Sequence, residues 1–258
     1  MQRKSIVIGG PPRTGTRFVA DALNRHPDVS IQGEVPPMLL DNALKFMRTC
    51  DKMYARPSQR HWQKGWTKTR VGVFNDIVAA LQKREQTSAS PEERKLGFTG
   101  FKLPGAVTRW RELEGIYGSP AFVLCIRRFG PYHLSCTTRW PGRTIEVTSA
   151  TYLASLAAIE DIMSDYGNAF IFPVEHLKSR GPELLSDLGA FLDLPDAAGW
   201  AASIDPGQKA NESEKFKASK RTELTEAEQL FIAEHPELEA KYDAVAALTG
   251  SSAVAQLR

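Results

Sequence analysis

Apolar positions along the chain fall into two patterns. Short continuous runs, Ile6-Val7-Ile8, Phe122-Val123-Leu124-Cys125-Ile126 and Phe170-Ile171-Phe172, are β-branched or aromatic and bounded by Gly, Pro or charge. Such runs predict buried parallel strands. Val29-Ser30-Ile31 and the segment from Phe98 to Leu103 are two weaker strand candidates. Between the runs the spacing turns helical. Phe18, Val19, Ala22 and Leu23 share one face; so do Phe74, Ile77, Val78 and Leu81, then Tyr152, Leu153, Leu156, Ile159 and Met163. Leu184, Leu185, Leu188, Phe191 and Leu192 give a fourth face, with Pro182 near its first turn. Thr225-Glu226-Ala227-Glu228 is a capping box ahead of Leu230 and Phe231. Strands alternating with helices predict an α/β fold: three layers, with a central parallel sheet of about five strands flanked by helices.

Two segments break the alternation. Thr87 to Lys95 is polar and reads as an exposed loop. Ser203 to Arg221 is long, polar and Lys-rich, a length that is usually functional or disordered. No internal repeat is present.

Composition narrows the classes. The 258 residues, 42% apolar and 24% charged, suit one large domain or two small ones and exclude a coiled coil, a collagen-like repeat or a disordered chain. No run of 18 apolar residues occurs, so no membrane span is expected. Only Met-Gln-Arg-Lys precedes the first strand, which leaves no room for a signal peptide. Cys50, Cys125 and Cys136 are too few and scattered for disulfides or a metal site, and read as reduced thiols of a cytoplasmic protein. The net charge of +3 is too mild for nucleic acid, though local Lys and Arg clusters suit a small anionic ligand.

The first strand runs into Gly9-Gly10-Pro11-Pro12-Arg13-Thr14-Gly15-Thr16-Arg17 and then a helix. Glycines let backbone approach an anion, and a helix start offers free N–H groups with a positive dipole end. Thr14 and Thr16 add hydroxyls and Arg13 a fixed charge. This P-loop-like turn is a phosphate or sulfate cradle; the plain alternative is a glycine-rich turn with no ligand. GxxxxG is met by Gly10 and Gly15, but Thr16-Arg17 replaces the Lys-Ser/Thr of a nucleotide triphosphatase. Arg127-Arg128 ends the central strand where a magnesium-binding Asp is often found, so no metal is expected.

Gly10 to Arg17, with Asn24-Arg25-His26-Pro27-Asp28-Val29 and Gly33-Glu34, resembles the 5′-phosphosulfate region of sulfotransferases that use 3′-phosphoadenosine 5′-phosphosulfate (PAPS). Cys125 to Ser135 is similar to the family's 3′-phosphate motif, an Arg with a Ser eight residues on, met by Arg127 and Ser135. Pro173-Val174-Glu175-His176-Leu177, the stretch from Leu188 to Pro195, and the tail from Leu224 to Tyr242 look like further family segments in the right order. Arg128-Phe129-Gly130-Pro131 departs from the usual "RDPRD" run, and Thr14 and Arg17 from the usual residues of the loop.

The resemblance implies a single domain over 1–258. It implies a helical acceptor-site segment at about 45–95, which matches nothing in the family, and a nucleotide-covering loop at about 203–222. It makes PAPS the co-substrate, bound by Pro12, Arg13, Thr14, Gly15, Thr16, Arg17, Arg127 and Ser135, with one or two cations of Lys209, Lys215, Lys217, Lys220 and Arg221 on the 3′-phosphate. Lys215 and Lys217 are the residues chosen there, and Phe216 is a candidate to stack on adenine. Glu34 becomes the general base and Lys102 a residue facing the transferred group, while Arg13 stabilises charge. Read without the family, Glu34 is a surface acid before Pro36, Lys102 an exposed strand-end lysine, and the Lys run a solvated segment. Arg128 replaces Arg127 as the ligand if the strand end is off by one. His26, His61, His133 and His176 are alternative bases, and His61, Trp62, Trp66 and Trp110 are ring-bearing enough to stack on an acceptor.

The expected activity is sulfuryl transfer to a hydroxyl of a carbohydrate or other small molecule. An atypical P-loop nucleotide kinase is distinguished by magnesium dependence, and a non-catalytic nucleotide-binding module by having no use for Glu34. The acceptor and the oligomeric state are not readable from the residues.

Overall fold

The computed structural model describes residues 4–81, 97–207 and 221–249. Five strands form one sheet: β1 (Lys4–Gly9), β2 (Val29–Gln32), β3 (Phe98–Lys102), β4 (Ala121–Ile126) and β5 (Ala169–Pro173). Their order is β2-β3-β1-β4-β5 and every pairing is parallel. Both weaker strand candidates are thus real strands. β3 is interior, because the chain from β1 passes over it to β2 before returning.

A parallel sheet needs crossovers, and the chain supplies them as helices on both faces. Alternate residues of each strand serve opposite layers. Ile6 and Ile8, Val123 and Cys125, and Phe170 and Phe172 pack under α1 (Thr16–Leu23), α7 (Leu177–Phe191) and α8 (Ala197–Ala202). Val7, Phe122, Leu124, Ile126 and Ile171 pack under the other layer. That layer holds α2 (Pro37–Tyr54), α3 (Arg60–Leu81), α4 (Trp110–Tyr117), α5 (Phe129–Arg139), α6 (Ile145–Asp165) and α10 (Glu237–Ala247). Burial on both faces is why the strands read as continuous apolar runs.

Two helical expectations gain detail. The capping box forms at the start of α9 (Glu226–Glu234), with Thr225 accepting from the Glu228 N–H and Glu228 accepting from the Thr225 N–H. The helix carrying Leu184 to Phe191 begins earlier, at Leu177, and kinks at Arg180, so Pro182 stands in the first turn of its second segment. The polar stretch from Thr87 to Lys95 lies outside the described residues, as does most of the Lys-rich connection, 208–220.

Because the strands are parallel, their carboxyl ends share one edge. That edge receives the loop after β1, Glu34 just past β2, Lys102 at the end of β3, Arg127 just past β4 and Glu175 just past β5. In open α/β sheets the crevice at this edge is where ligands bind.

Candidate active site

The loop between β1 and α1 is built against β4. Gly10 has φ 140°, and a Cβ there would stand 2.1 Å from the Cys125 carbonyl oxygen, so only glycine allows the approach. Gly15, at φ 89°, opens α1 in the left-handed region. Arg13 also sits at a left-handed φ of 69°, a conformation an arginine adopts only when its surroundings impose it. The Gly10 N–H donates to the Pro104 carbonyl at 3.0 Å, closing the loop onto the turn after β3. Thr14 is fully buried and its hydroxyl donates to the Pro11 carbonyl at 2.7 Å. Without a ligand the hydroxyl is thus bonded inside the loop, with the Thr14 amide beside it. Thr16 is buried at the first turn of α1.

Two guanidiniums converge on this loop. Arg13 Nε donates to Ser135 Oγ at 3.1 Å, joining the loop to α5 across 122 residues. Arg127 Nη1 donates to the Arg13 carbonyl at 3.4 Å. The Arg127 carbonyl in turn accepts from the Tyr152 hydroxyl at 2.7 Å, so α6 fixes the backbone that aims this arginine. Neither Arg13 nor Arg127 forms an ion pair with a carboxylate among the described residues. Burial pushes the pKa of Arg13 down; Cys136 and Glu34 oppose this and Arg139 reinforces it. Burial pushes Arg127 down as well, with Glu175 opposing and Arg13 reinforcing. Guanidiniums stay charged regardless, so half-burying two of them side by side costs free energy.

On the other side of the loop Lys102 Nζ forms an ion pair with Glu34. The Lys102 side chain is only 6% exposed, while Glu34 is 55% exposed, so the pair has a buried cation and an open anion. Lys102 is therefore not the exposed strand-end residue that the sequence alone allows. Glu34 lies just ahead of α2 at the edge where Arg13 feels its charge. Arg13, Arg127, Ser135, Glu34 and Lys102 are thus brought together around the Pro12–Thr16 loop at the carboxyl edge of the sheet.

The alternatives separate clearly. Arg128 faces away: it pairs with Glu239 at 2.5 Å and Asp243 at 3.0 Å, and stacks on the Tyr242 ring at 4.6 Å. It docks α10, which leaves Arg127 as the loop-facing arginine. Arg17 is exposed and donates to Asp21 on the surface of α1. His26 bonds the Pro195 carbonyl and the Asp28 N–H. His133 is buried against Thr148 Oγ1 at 2.7 Å and Glu228 at 3.0 Å. Both rings are bonded within the scaffold. His61 is exposed on α3 beside Trp62, and His176 lies in the turn after β5. Trp66 donates to Asp51, and Trp110 is buried, so of the four candidate rings only His61 and Trp62 are open. Lys209, Lys215, Phe216, Lys217 and Lys220 lie outside the described residues. Arg221, by contrast, is bonded to Glu228.

Two further residues near these elements carried no local signal. Glu175 accepts from the Arg128 N–H at 2.9 Å and from Tyr242 at 3.2 Å, and its charge reaches Arg127. Arg143 sits over the Trp140 ring at 4.8 Å, with its buried Nη1 lacking a hydrogen-bond partner. A Glu after a strand or an Arg after a helix is too common a pattern to mark either one. Among the described residues no group of His, Cys, Asp and Glu is arranged to hold a metal ion.

A five-stranded parallel sheet with a glycine loop at its carboxyl edge defines a fold class, and known structures narrow it. No protein-family model matches the chain, and no curated protein matches it in sequence. A sulfotransferase from Alicyclobacillus acidocaldarius matches in structure with a TM-score of 0.56 at 11% identity, over 95% of this chain and 96% of that one. Sulfotransferase STF9 from Mycobacterium avium gives a TM-score of 0.48 at 11% identity, over 91% of this chain and 76% of that one. The sulfotransferase domain of the Synechococcus PCC 7002 olefin synthase gives 0.47 at 14% identity, over 90% and 94%. The Alicyclobacillus likeness shows that this chain has the fold of that sulfotransferase, a five-stranded parallel sheet with flanking helices.

Proposed function

We propose that the protein is a sulfotransferase that moves a sulfuryl group from PAPS to a hydroxyl of a carbohydrate or other small molecule. The observation that carries this reading is the pair of half-buried guanidiniums, Arg13 and Arg127, held on a glycine loop without a carboxylate partner among the described residues. Their burial fits a donor with two separate anionic groups. Arg13 and the amides of Thr14 to Thr16 take the 5′-phosphosulfate; Arg127 and the Ser135 hydroxyl take the 3′-phosphate.

In the transfer the acceptor oxygen forms a bond to sulfur while the bond from sulfur to the 5′-phosphate oxygen breaks. The acceptor proton goes to Glu34. Sulfuryl transfer, like phosphoryl transfer, depends on in-line placement and on stabilising charge that spreads over the outer and leaving oxygens. Arg13 and Lys102 supply cations at that point. Glu34 is paired to the Lys102 ammonium, and its exposed carboxylate is open to an arriving hydroxyl. The acceptor side is formed by the helical segment from about residue 45, of which 45–81 is described. The whole of 1–258 acts as one domain, with 203–222 covering the nucleotide.

The test is a calorimetric titration of 3′-phosphoadenosine 5′-phosphate against ADP, with no metal added. The extra phosphate meets charge-assisted bonds of about 1.5–3 kcal/mol, so the bisphosphate binds roughly 10–100 times more tightly. Equal affinities overturn the assignment, and a magnesium requirement favours a kinase.

A further inference from the structure

One stripe along the solvent side of α2 carries no charge. Residues 38, 42, 46, 49 and 53 recur at i, i+4, i+8, i+11 and i+15, one side of a helix. They are Met38, Asn42, Phe46, Thr49 and Met53, all exposed. Leu40, Ala43, Leu44 and Met47 on the opposite side are in the core. Met38 is 72% exposed, Phe46 50% and Met53 49%. At the start of α3, Trp62 is 59% exposed. The Tyr54 and Trp66 rings meet at 5.4 Å, so the end of α2 and the first turns of α3 form the tip of a hairpin, with Met53 and Trp62 on it.

Charge sets this hairpin apart. Residues 37–81 hold eight Lys and Arg against three Asp and no Glu, whereas the rest of the chain holds 25 against 27. Asp41 is taken by Arg109 and Asp51 by Arg70 and Trp66, while Arg48 pairs with Glu112. Lys45, Lys52, Arg56, Lys64 and Lys68 form no ion pair with any described residue, and all five are exposed. An uncharged stripe of Met and Phe, a Trp at the tip and five exposed cations beside them, without an ion pair among the described residues, are the pattern of a helix that lies in a headgroup layer. Lysine stems span the boundary while their ammonium groups reach phosphate. A second copy of the chain fits poorly, because it would set five exposed cations against five. No described helix is long and apolar enough to cross a membrane, so the contact is with the surface of a bilayer.

We propose that the α2–α3 hairpin docks on an anionic lipid bilayer, burying Phe46, Met53 and Trp62 at the acyl boundary and placing Lys45, Lys52, Arg56, Lys64 and Lys68 among the headgroups. This contact stands whether or not the cleft transfers sulfuryl groups. The experiment is sedimentation of the full chain with vesicles of phosphatidylcholine alone or of phosphatidylcholine mixed with phosphatidylglycerol. The protein pellets with the mixed vesicles and not with the neutral ones, and added salt releases it. The double variant Lys45→Glu, Lys52→Glu loses about tenfold or more in binding. Phe46→Ser with Met53→Ser weakens binding at low salt too. Lys178→Glu, an exposed cation on α7, binds as the parent does. Far-UV circular dichroism checks that each variant is folded, and the comparison of the two vesicles on the parent needs no variant. Parent protein that ignores phosphatidylglycerol overturns the proposal. So does either double variant binding like the parent. Size exclusion that shows a dimer broken by Phe46→Ser with Met53→Ser, without vesicle binding, assigns the stripe to a second copy instead.

Discussion

The cleft at the sheet edge and the α2–α3 hairpin are built on opposite plans. In the cleft each working group is held from more than one direction. Arg13 is set by a left-handed backbone and by Ser135, and the Arg127 backbone by Tyr152. Lys102 is fixed by strand pairing with Ile8 and by Glu34. The hairpin is tied only on its inner side. Phe74 packs against Phe101 and Tyr117, Tyr117 donates to Asn75, and Arg109 and Glu112 reach Asp41 and Arg48. Among the described residues its outer side carries exposed Met38, Phe46, Met53 and Trp62. A chemistry that needs positioning is placed on strand ends, which do not move relative to one another. Recognition of a variable partner is placed on a surface that can change without disturbing them.

The strongest way to test the site is to remove its proposed proton acceptor. Glu34→Gln keeps the shape and the hydrogen-bonding capacity toward Lys102 but accepts no proton. On the proposed reading turnover falls about 10²–10⁴-fold, while affinity for 3′-phosphoadenosine 5′-phosphate stays within a few-fold, since the carboxylate would serve the acceptor rather than the nucleotide. Steady-state rates and a nucleotide titration on the same sample give both numbers. Near-normal turnover moves the role elsewhere; His133, bonded on both ring nitrogens, is a poor replacement, and the exposed His61 is the next to examine.

The hairpin's attachment is broken at Phe74, which is fully buried between the hairpin and β3. Phe74→Ala destabilises by about 3–5 kcal/mol, transfer and cavity terms together. If the two regions are as separate as their contacts indicate, the variant melts at lower temperature yet binds the bisphosphate normally while folded. Thermal melts with and without nucleotide decide this. A variant that loses nucleotide affinity in proportion to its stability shows that the hairpin and cleft act as one unit.

A smaller effect separates the two arginines at the end of β4. Arg127→Ala removes the preference for the bisphosphate over ADP, a loss of about 1.5–3 kcal/mol. Arg128→Ala leaves that preference intact and lowers stability instead, because Arg128 serves Glu239, Asp243 and Tyr242. Parallel titrations and melts on the two variants read the difference.

How much of this was legible beforehand follows from where the signals sit. Ile6 to Ile8 and Phe122 to Ile126 read as strands because both their faces are buried, and the glycine loop reads as an anion site because its glycines adjoin a strand and a helix. α2 is absent from the periodic runs because Met38, Phe46 and Met53 fall on its solvent face and blur the apolar stripe. Arg127 and Arg128 are adjacent and chemically identical, and what distinguishes them is α10, some 111 residues further on. The Arg13–Ser135 bond and the Lys102–Glu34 pair join residues 122 and 68 positions apart, and spacing carries no trace of such partners. The family resemblance supplied the residues of these pairs but not the contacts between them.

The smallest expected effect lies outside both regions, at the carboxylate that links α9 to α5. Glu228 accepts from Arg221 at 2.9 Å, from the Thr225 N–H at 2.8 Å and from the buried His133 ring at 3.0 Å. Arg221, first among these, holds its carboxyl well below the usual carboxylate range. A depressed pKa in the folded state means that the unfolded chain takes up the proton first. The stabilisation is therefore complete above the unfolded value of about 4.3 and is lost as pH falls below it. Glu228→Gln abolishes the ion pair at every pH. The melting temperatures of the parent and this variant should differ most near neutrality and converge as the pH is lowered past about 4. A gap that stays constant down the acid range would mean that the carboxylate contributes only as a neutral hydrogen-bond acceptor in the capping box. None of the three groups that face Glu228 touches Arg13, Arg127 or Glu34.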